Sequence, residues 1–414
     1  MLNTIAVITT ITAVFAFLNY KFIKLPTTIG IMTVSLLASL CLILLQYLGV
    51  SEVTDIANRL SKAVIFDEVV MNGMLSFLLF AGALHVNIND LSEQKWPIGL
   101  LSTFGVLITT FLFGYASYYV MQVIGLDIPL IYCCVFGSLI SATDPIAVLG
   151  ILKKAGAPKS LSIKIIGESL FNDGVAVVVF LVLSSIAIGT NEVTTTDIGI
   201  LFAEEAIGGI VYGLLLGAVG YYMLKMVDNY QVEILLTLAI VIGGYALAQQ
   251  IHVSGPIAIV VTGLMIGNHG RLLAMSDTTR KHLDQFWELL DEILNAFLFV
   301  LIGIEVLVID FSPNVLIAGM VLIPILLLAR FLSTSLLLGV LKFREEFTKH
   351  TELLLTWGGL RGAISVALAL SLPPSETKDI LVGITYIIVV FSILVQGLTI
   401  GKLIEFLLKK EDKT

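Results

Sequence analysis

Asp144 and Asp173 each lie about halfway along one of two strongly apolar segments that meet at a basic loop. On insertion scales an acid at a helix centre costs about 2.5–3.5 kcal/mol, so two of them need a reason. The usual reason is a path for a cation or a proton. Asp144 sits in Thr143-Asp144-Pro145, and Asp is a favoured N-cap while Pro is favoured at the first helical position. The tripeptide therefore reads as a helix restarting in mid-membrane, with the carbonyls freed near residues 141–143 able to bind a cation. A proline kink capped by an acid is the competing reading. Asp173 returns to mid-membrane on the next segment, with Ser169 four residues earlier on the same helical face and Asn172 beside it to fix the carboxylate. A carboxylate withdrawn from water can exchange protons near neutral pH, and a cation arriving beside its charged form expels the proton. That competition couples two ions without a covalent step.

Glu168 is a third acid on the segment of Asp173 but points to another face. Arg361, in the glycine-rich run Gly358 to Gly362, is the partner expected for it, as a tie between two spans and not as a carrier. Arg330 has no partner evident in sequence; it orients Asn172 or a carboxylate, or is a satisfied structural arginine.

These groups must be held by a membrane-embedded frame. The chain is 57% hydrophobic and 13% charged, with mean hydropathy +1.01, where a soluble domain of 414 residues would carry roughly a quarter charged residues. The expected fold is an all-α polytopic membrane protein of about thirteen spans, without a soluble domain. Span 3 covers roughly 67–88, span 5 128–151, span 6 162–187, span 10 283–308, span 11 313–341 and span 12 349–372. Residues 51–65 and 192–202 read as short surface pieces, and residues 1–22 as a retained helix. Eighteen of the 23 Lys and Arg residues then fall on one side, three on the other and two within the membrane. That bias places the N-terminus outside and the C-terminus inside. Thirteen divides into inverted six-helix repeats around one extra span, with spans 5 and 12 interrupted at matching places. The three cysteines fall in apolar spans and predict no disulfide. A net charge of -8 without a basic patch gives no sign of nucleic acid. Phosphate-loop and dinucleotide motifs are missing, so no cofactor and no ATP are implied.

The quoted residues, together with Phe80 to Leu84, Gly167 to Asp173 (GESLFND), Ser254 to Ala258, Phe286-Trp287 with Asn295 and Phe297, and Trp357 to Gly362 (WGGLRG), resemble the monovalent cation/proton antiporters of the NhaP and NHE exchanger type. The resemblance covers nearly the whole chain. It implies a homodimer in the cell membrane, each protomer a single exchanger domain over 1–414. Its dimerisation scaffold would be residues 1–88 and 203–308, and its mobile core 97–187 and 313–406. It implies that Asp173 carries the proton or cation, that Thr143, Asp144 and Ser169 coordinate Na+, that Asn172 supports the pocket, and that Glu168–Arg361 is the core ion pair. Asn172 before the aspartate implies electroneutral exchange of Na+, and Li+, for H+ in pH homeostasis. Where some relatives carry a glutamate near the end of span 3, His85 stands here, either shaping the pH response or closing a helix as an ordinary polar residue. The chain ends at Thr414, soon after span 13, which points to a prokaryotic type.

Span 10 carries Asp284, Glu288, Asp291 and Glu292, which form either a negative mouth that concentrates cations or a solvated helix end. Other function classes fit less well. A channel needs a continuous pore and a filter, and no TVGYG-like segment occurs. An intramembrane aspartyl protease would carry glycine-X-glycine-aspartate, which neither acid has. A potassium/proton antiporter of the same architecture remains the near alternative.

Overall fold

The computed structural model describes residues 2–48, 66, 69–144, 152, 156–189, 195–270, 275–307, 309, 311–343, 347 and 349–411, with 2–4, 46–47, 195–198, 269 and 408–411 described as backbone only. Helix is the only regular structure among them. In chain order the helices that matter are α1 (Leu2–Leu18), α2 (Thr27–Tyr47), α3 (Leu75–Leu84), α4 (Lys95–Ile124), α5 (Leu130–Ser141), α6 (Lys159–Ile188), α7 (Thr195–Lys225), α8 (Tyr230–Gln250), α9 (Gly255–Met265), α10 (Asp277–Glu305), α11 (Pro313–Leu341), α12 (Thr351–Gly358), α13 (Ala363–Leu370) and α14 (Glu376–Leu407). Eight of the described helices are long and apolar enough to cross a membrane alone. The pair α12 and α13, bent by 51° at a short break, would make a ninth.

Their starts follow from local chemistry. Ser254, Ser276, Ser312 and Ser375 each accept a hydrogen bond from a backbone N–H in the first turn of the helix they precede, and proline occupies the first turn of α9 and α11. The sequence placed a surface piece over 192–202. Residues 195–202 instead continue α7 without a break, because its apolar run extends through Ile198 to Phe202. The expected piece at 51–65, Pro145 and the restart of span 5 lie outside the described residues.

Helices in lipid gain little from hydrophobic contrast and associate through close packing of small residues. Gly209, Gly213 and Gly217 recur every four residues along α7 and let α9 approach. A Cβ on Gly213 would sit 2.6 Å from the Ala258 carbonyl oxygen and 2.9 Å from Val261 Cβ. The closest crossing near the site is that of α4 on α5. A Cβ on Gly114 would lie 3.0 Å from Cys134 Cα, and one on Gly137 would collide with the Thr110 carbonyl. α5 in turn packs on α6 and α13, and α11 on α4 and α14, while α9 lies against α3 and α7, and α10 against α2. The ends of α5 and α13 are thus held between neighbours that leave no slack.

Gly137→Val should therefore lower stability by about 1–3 kcal/mol, since overpacking displaces backbone here and not a flexible side chain. Thermal unfolding in detergent reads this out, and an unchanged midpoint would show that the crossing tolerates expansion.

Candidate functional site

α5 stops at Ser141, and Ala142 leaves the helix with φ -57° and ψ 140°. α12 stops at Gly358, the chain runs extended through Gly362, and α13 starts at Ala363. The two unwound segments cross. The Asp144 N–H donates to the Leu360 carbonyl at 2.8 Å. Glycine is required by space at this crossing: a Cβ on Gly362 would sit 2.7 Å from Asp144 Cβ, and one on Gly359 3.2 Å from Thr143 Cγ2. Non-helical backbone at membrane depth survives only where protein or a wet cavity satisfies it, and here protein does much of it.

Arg361 provides the largest share. Its guanidinium donates to the Ser141 carbonyl at 2.7 Å and to the Ala142 carbonyl at 2.9 Å. The carbonyls that the sequence offered to a cation are thus engaged by a cationic side chain of the protein. The Arg361 N–H donates to Ser392 Oγ at 2.8 Å, Ser392 donates to Gln396 Oε1 at 2.7 Å, and Gln396 Nε2 donates to the Trp357 carbonyl at 3.2 Å. Ser392 and Gln396 bound a π-helical turn that sets both side chains toward the break.

The expected Glu168–Arg361 ion pair does not form. Glu168 Oε1 pairs with Arg330 Nη2, and both side chains are almost wholly buried. Arg361 is drawn instead to the carbonyls of α5, which present two acceptors at one point. The tie from Glu168 consequently joins α6 to α11, and Arg330 takes the role of holding a carboxylate. Arg361 remains within electrostatic reach of Glu168 and Asp173.

The residues grouped by sequence around Asp173 converge. Asn172 Oδ1 accepts the Thr143 N–H at 3.2 Å, and Asn172 Nδ2 donates to Thr143 Oγ1 at 2.6 Å. Thr143 Oγ1 stands 2.9 Å from Ser169 Oγ. Because Thr143 Oγ1 already accepts from Asn172, its own hydrogen is free to go to Ser169. Asn172 is thus spent on both polar groups of Thr143. Asp173 is 5% exposed, and its Oδ1 has no hydrogen-bond partner in the protein. A buried oxygen left this way costs about 1–3 kcal/mol and calls for an explanation.

A cavity of about 960 Å³ explains it. Asp144, Thr143 and Asp173 line it, together with His85 and with Asp284, Glu288, Asp291 and Glu292 of α10. The acidic face of α10 therefore shares one space with the half-buried Asp144 and the buried Asp173. His85 closes α3, its Nδ1 bonding the Ala81 carbonyl at 2.8 Å, and its ring borders the cavity with Nε2 4.0 Å from Asp284 Oδ1. Sequence reasoning missed Ser392 and Gln396, which lie in an ordinary apolar run. It also missed the buried position of Asn295, which was noticed only as part of a motif.

Comparison with known proteins agrees with the geometry. A family model for the transmembrane sodium/hydrogen exchanger matches residues 6–406. The chain is 50% identical over 408 residues to a Na+/H+ antiporter, NhaP, of Pseudomonas aeruginosa, covering 98% of this chain and 96% of that one. It is 34% identical over 393 residues to the Na+/H+ antiporter NhaH of Halobacillus dabanensis, covering 93% of each. In fold it is similar to the sodium proton antiporter of Methanocaldococcus jannaschii solved at pH 8, with TM-score 0.76, 21% identity and 97% of each chain covered.

Removing Glu168 alone should strand the Arg330 charge, at a cost of about 3–5 kcal/mol. Glu168→Ala is expected to lower the unfolding temperature, and adding Arg330→Met to recover much of the loss. Adding Arg361→Met should deepen it, because two carbonyls then lose their donor. Recovery by the Arg361 substitution in place of the Arg330 one would reinstate the other pairing.

Proposed function

The chain belongs to the sodium/hydrogen exchanger family, and we propose that it exchanges Na+, and by the same chemistry Li+, for H+ across the cell membrane, one for one, in cation and pH homeostasis. The observation that carries this reading is the buried Asp173 oxygen without a partner, on a residue that lines the cavity beside Asp144. Such an oxygen is satisfied either by its own proton or by a cation, and one guest excludes the other. Thr143, Ser169 and Asp144 complete the oxygen set around a cation. Asn172 is uncharged and fully engaged, so it fixes the pocket and takes no part in the titration. Asp173 then leaves the site neutral whichever guest it holds, and an imposed voltage has little to act on.

The cycle is alternating access. The bare carboxylate crosses poorly because moving an uncompensated charge through lipid is costly. Its frame is thirteen crossings in inverted six-helix repeats, N-terminus out and C-terminus in. Eight long helices and the bent pair account for nine. The shorter apolar helices Val69–Leu84, Leu130–Ser141 and Gly255–Asn268, and α10 with its charged first half, supply the remainder. The moving core comprises α4–α6 and α11–α14, and the scaffold α1–α3 and α7–α10, the scaffold joining two protomers in a homodimer. Packing of α5 with α4, α6 and α13, and of α11 with α4 and α14, favours that division.

Asp173→Asn in proteoliposomes loaded with a pH dye should abolish cation-driven proton flux while the protein keeps its elution volume and thermal transition. Exchange at the wild-type rate would remove the assignment. With the unaltered protein, Na+ and Li+ should drive proton flux at a rate indifferent to a potassium-diffusion potential. A marked acceleration by voltage would refute one-for-one exchange, and a larger response to K+ or Rb+ than to Na+ would transfer the reading to potassium.

A further inference from the structure

Along α10, Asp284, Glu288, Asp291 and Asn295 are spaced four, three and four residues apart and so form one face, and all four border the cavity. Asn295 is the residue on that face that acidity alone does not explain. It is 1% exposed, and its Nδ2 donates to the Asp291 backbone carbonyl at 2.8 Å. A carbonyl can only accept, so the amide nitrogen is fixed on that side and Oδ1 on the other. Oδ1 has no hydrogen-bond partner in the protein. A leucine would fill the position without leaving a polar atom unsatisfied.

One turn away, Asp291 is half-buried, its carboxylate is met by the Asn295 amide N–H, and it lies within electrostatic reach of Asp144, Glu288 and Glu292. The cationic side chains bordering the cavity are Lys24 and, when protonated, His85, whose Nε2 lies toward Asp284. We infer that Asp291 and Asn295 form a second binding site for a small monovalent cation, partly hydrated, on the wall of the cavity that also holds Asp173. The identity of the cation rests on the exchange reading above. Oxygen donors with no sulfur or imidazole select a hard ion. Among the described residues no three His, Cys, Asp or Glu side chains converge as they would for a divalent metal. Two protein oxygens leave the remaining coordination to water, as suits an ion that binds in passing. A cation held here is stored inside the cavity before it meets Asp173, and the site therefore lowers the concentration at which exchange half-saturates.

The binding experiment titrates the purified protein with radioactive 22Na+ at alkaline pH. Two ions per wild-type protomer are expected, one in Asp173→Asn, and none in Asp173→Asn combined with Asn295→Leu. In proteoliposomes, Asn295→Leu and Asp291→Asn should each raise the KM for Na+ by about tenfold, equivalent to about 1.4 kcal/mol of binding. An unchanged KM in Asn295→Leu would overturn the site, and because that variant also takes a donor from the Asp291 carboxylate, the count of bound 22Na+ is what separates a site from a diffuse negative field. Should that variant fail to fold, Asn295→Asp keeps an oxygen in place and adds charge, so an unchanged KM there would overturn it equally. If Asp173→Asn binds no 22Na+, the second site is lost while the Asp173 reading stands. If Asp173→Asn exchanges normally, that reading is lost while a retained ion still supports the second site. Displacement of 22Na+ by equimolar Ca2+ would overturn the monovalent class.

Discussion

The carbonyls of Ser141 and Ala142 have no helical partner and lie where water does not reach, so something must donate to them. The Arg361 guanidinium does so, and much of the local architecture follows from its having to arrive there. It can arrive only if the helix that bears it is also broken, because a side chain leaving a continuous helix would face the flank of α5 and not its end. The break in turn needs glycine at 362, where a Cβ would meet Asp144 at 2.7 Å, and leaves only tight room at 359. It needs its own backbone satisfied as well, which Ser392, Gln396 and the Asp144 N–H to Leu360 carbonyl bond accomplish. The end of α5 and the break between α12 and α13 are therefore one device: each supplies groups the other lacks.

This device sets what Asp173 can do. Glu168 is neutralised by Arg330 on a separate axis, from α6 to α11, and is withdrawn from the ion chemistry. Asn172 is committed to Thr143 by two hydrogen bonds, so the pocket keeps its shape when the guest changes. The buried Asp173 Oδ1 keeps no hydrogen-bond partner, on a residue that lines the cavity, while Thr143, Ser169 and Asn172 around it are tied to one another.

Much of this was legible in the chain. Thr143-Asp144-Pro145, the Ser169 and Asp173 face and the glycines around Arg361 announced broken helices and a buried acid, because each breaks a local rule that an apolar helix otherwise obeys. The partner of Glu168 was not legible. Both arginines sit in apolar segments, and the choice between them depends on where the end of α5 falls, which no local pattern encodes. Nor were Ser392 and Gln396, since a π-helical turn leaves no mark in an apolar run. The acidic spacing on α10 was visible, but whether it faced bulk water or the cavity was settled by packing. The burial of Asn295 beside Asp291 was hidden for the same reason.

Charge counting at the crossing bears on the stoichiometry proposed above. Counted by the side chains that meet at the crossing itself, the carboxylates of Asp144, Glu168 and Asp173 outnumber the guanidiniums of Arg330 and Arg361 by one, before Asp291 of α10 is added. A low-dielectric interior tolerates such an excess poorly, so the resting state calls for one positive guest. A proton meets that need as well as a sodium ion does, whereas both together would leave an excess of the opposite sign. Replacing Asn172 by a second aspartate would change the arithmetic, leaving two charges to be met and room for two protons against one cation. In the proposed one-for-one exchange, the uncharged amide at 172 would act through the charge of the cluster and not through contact with the ion.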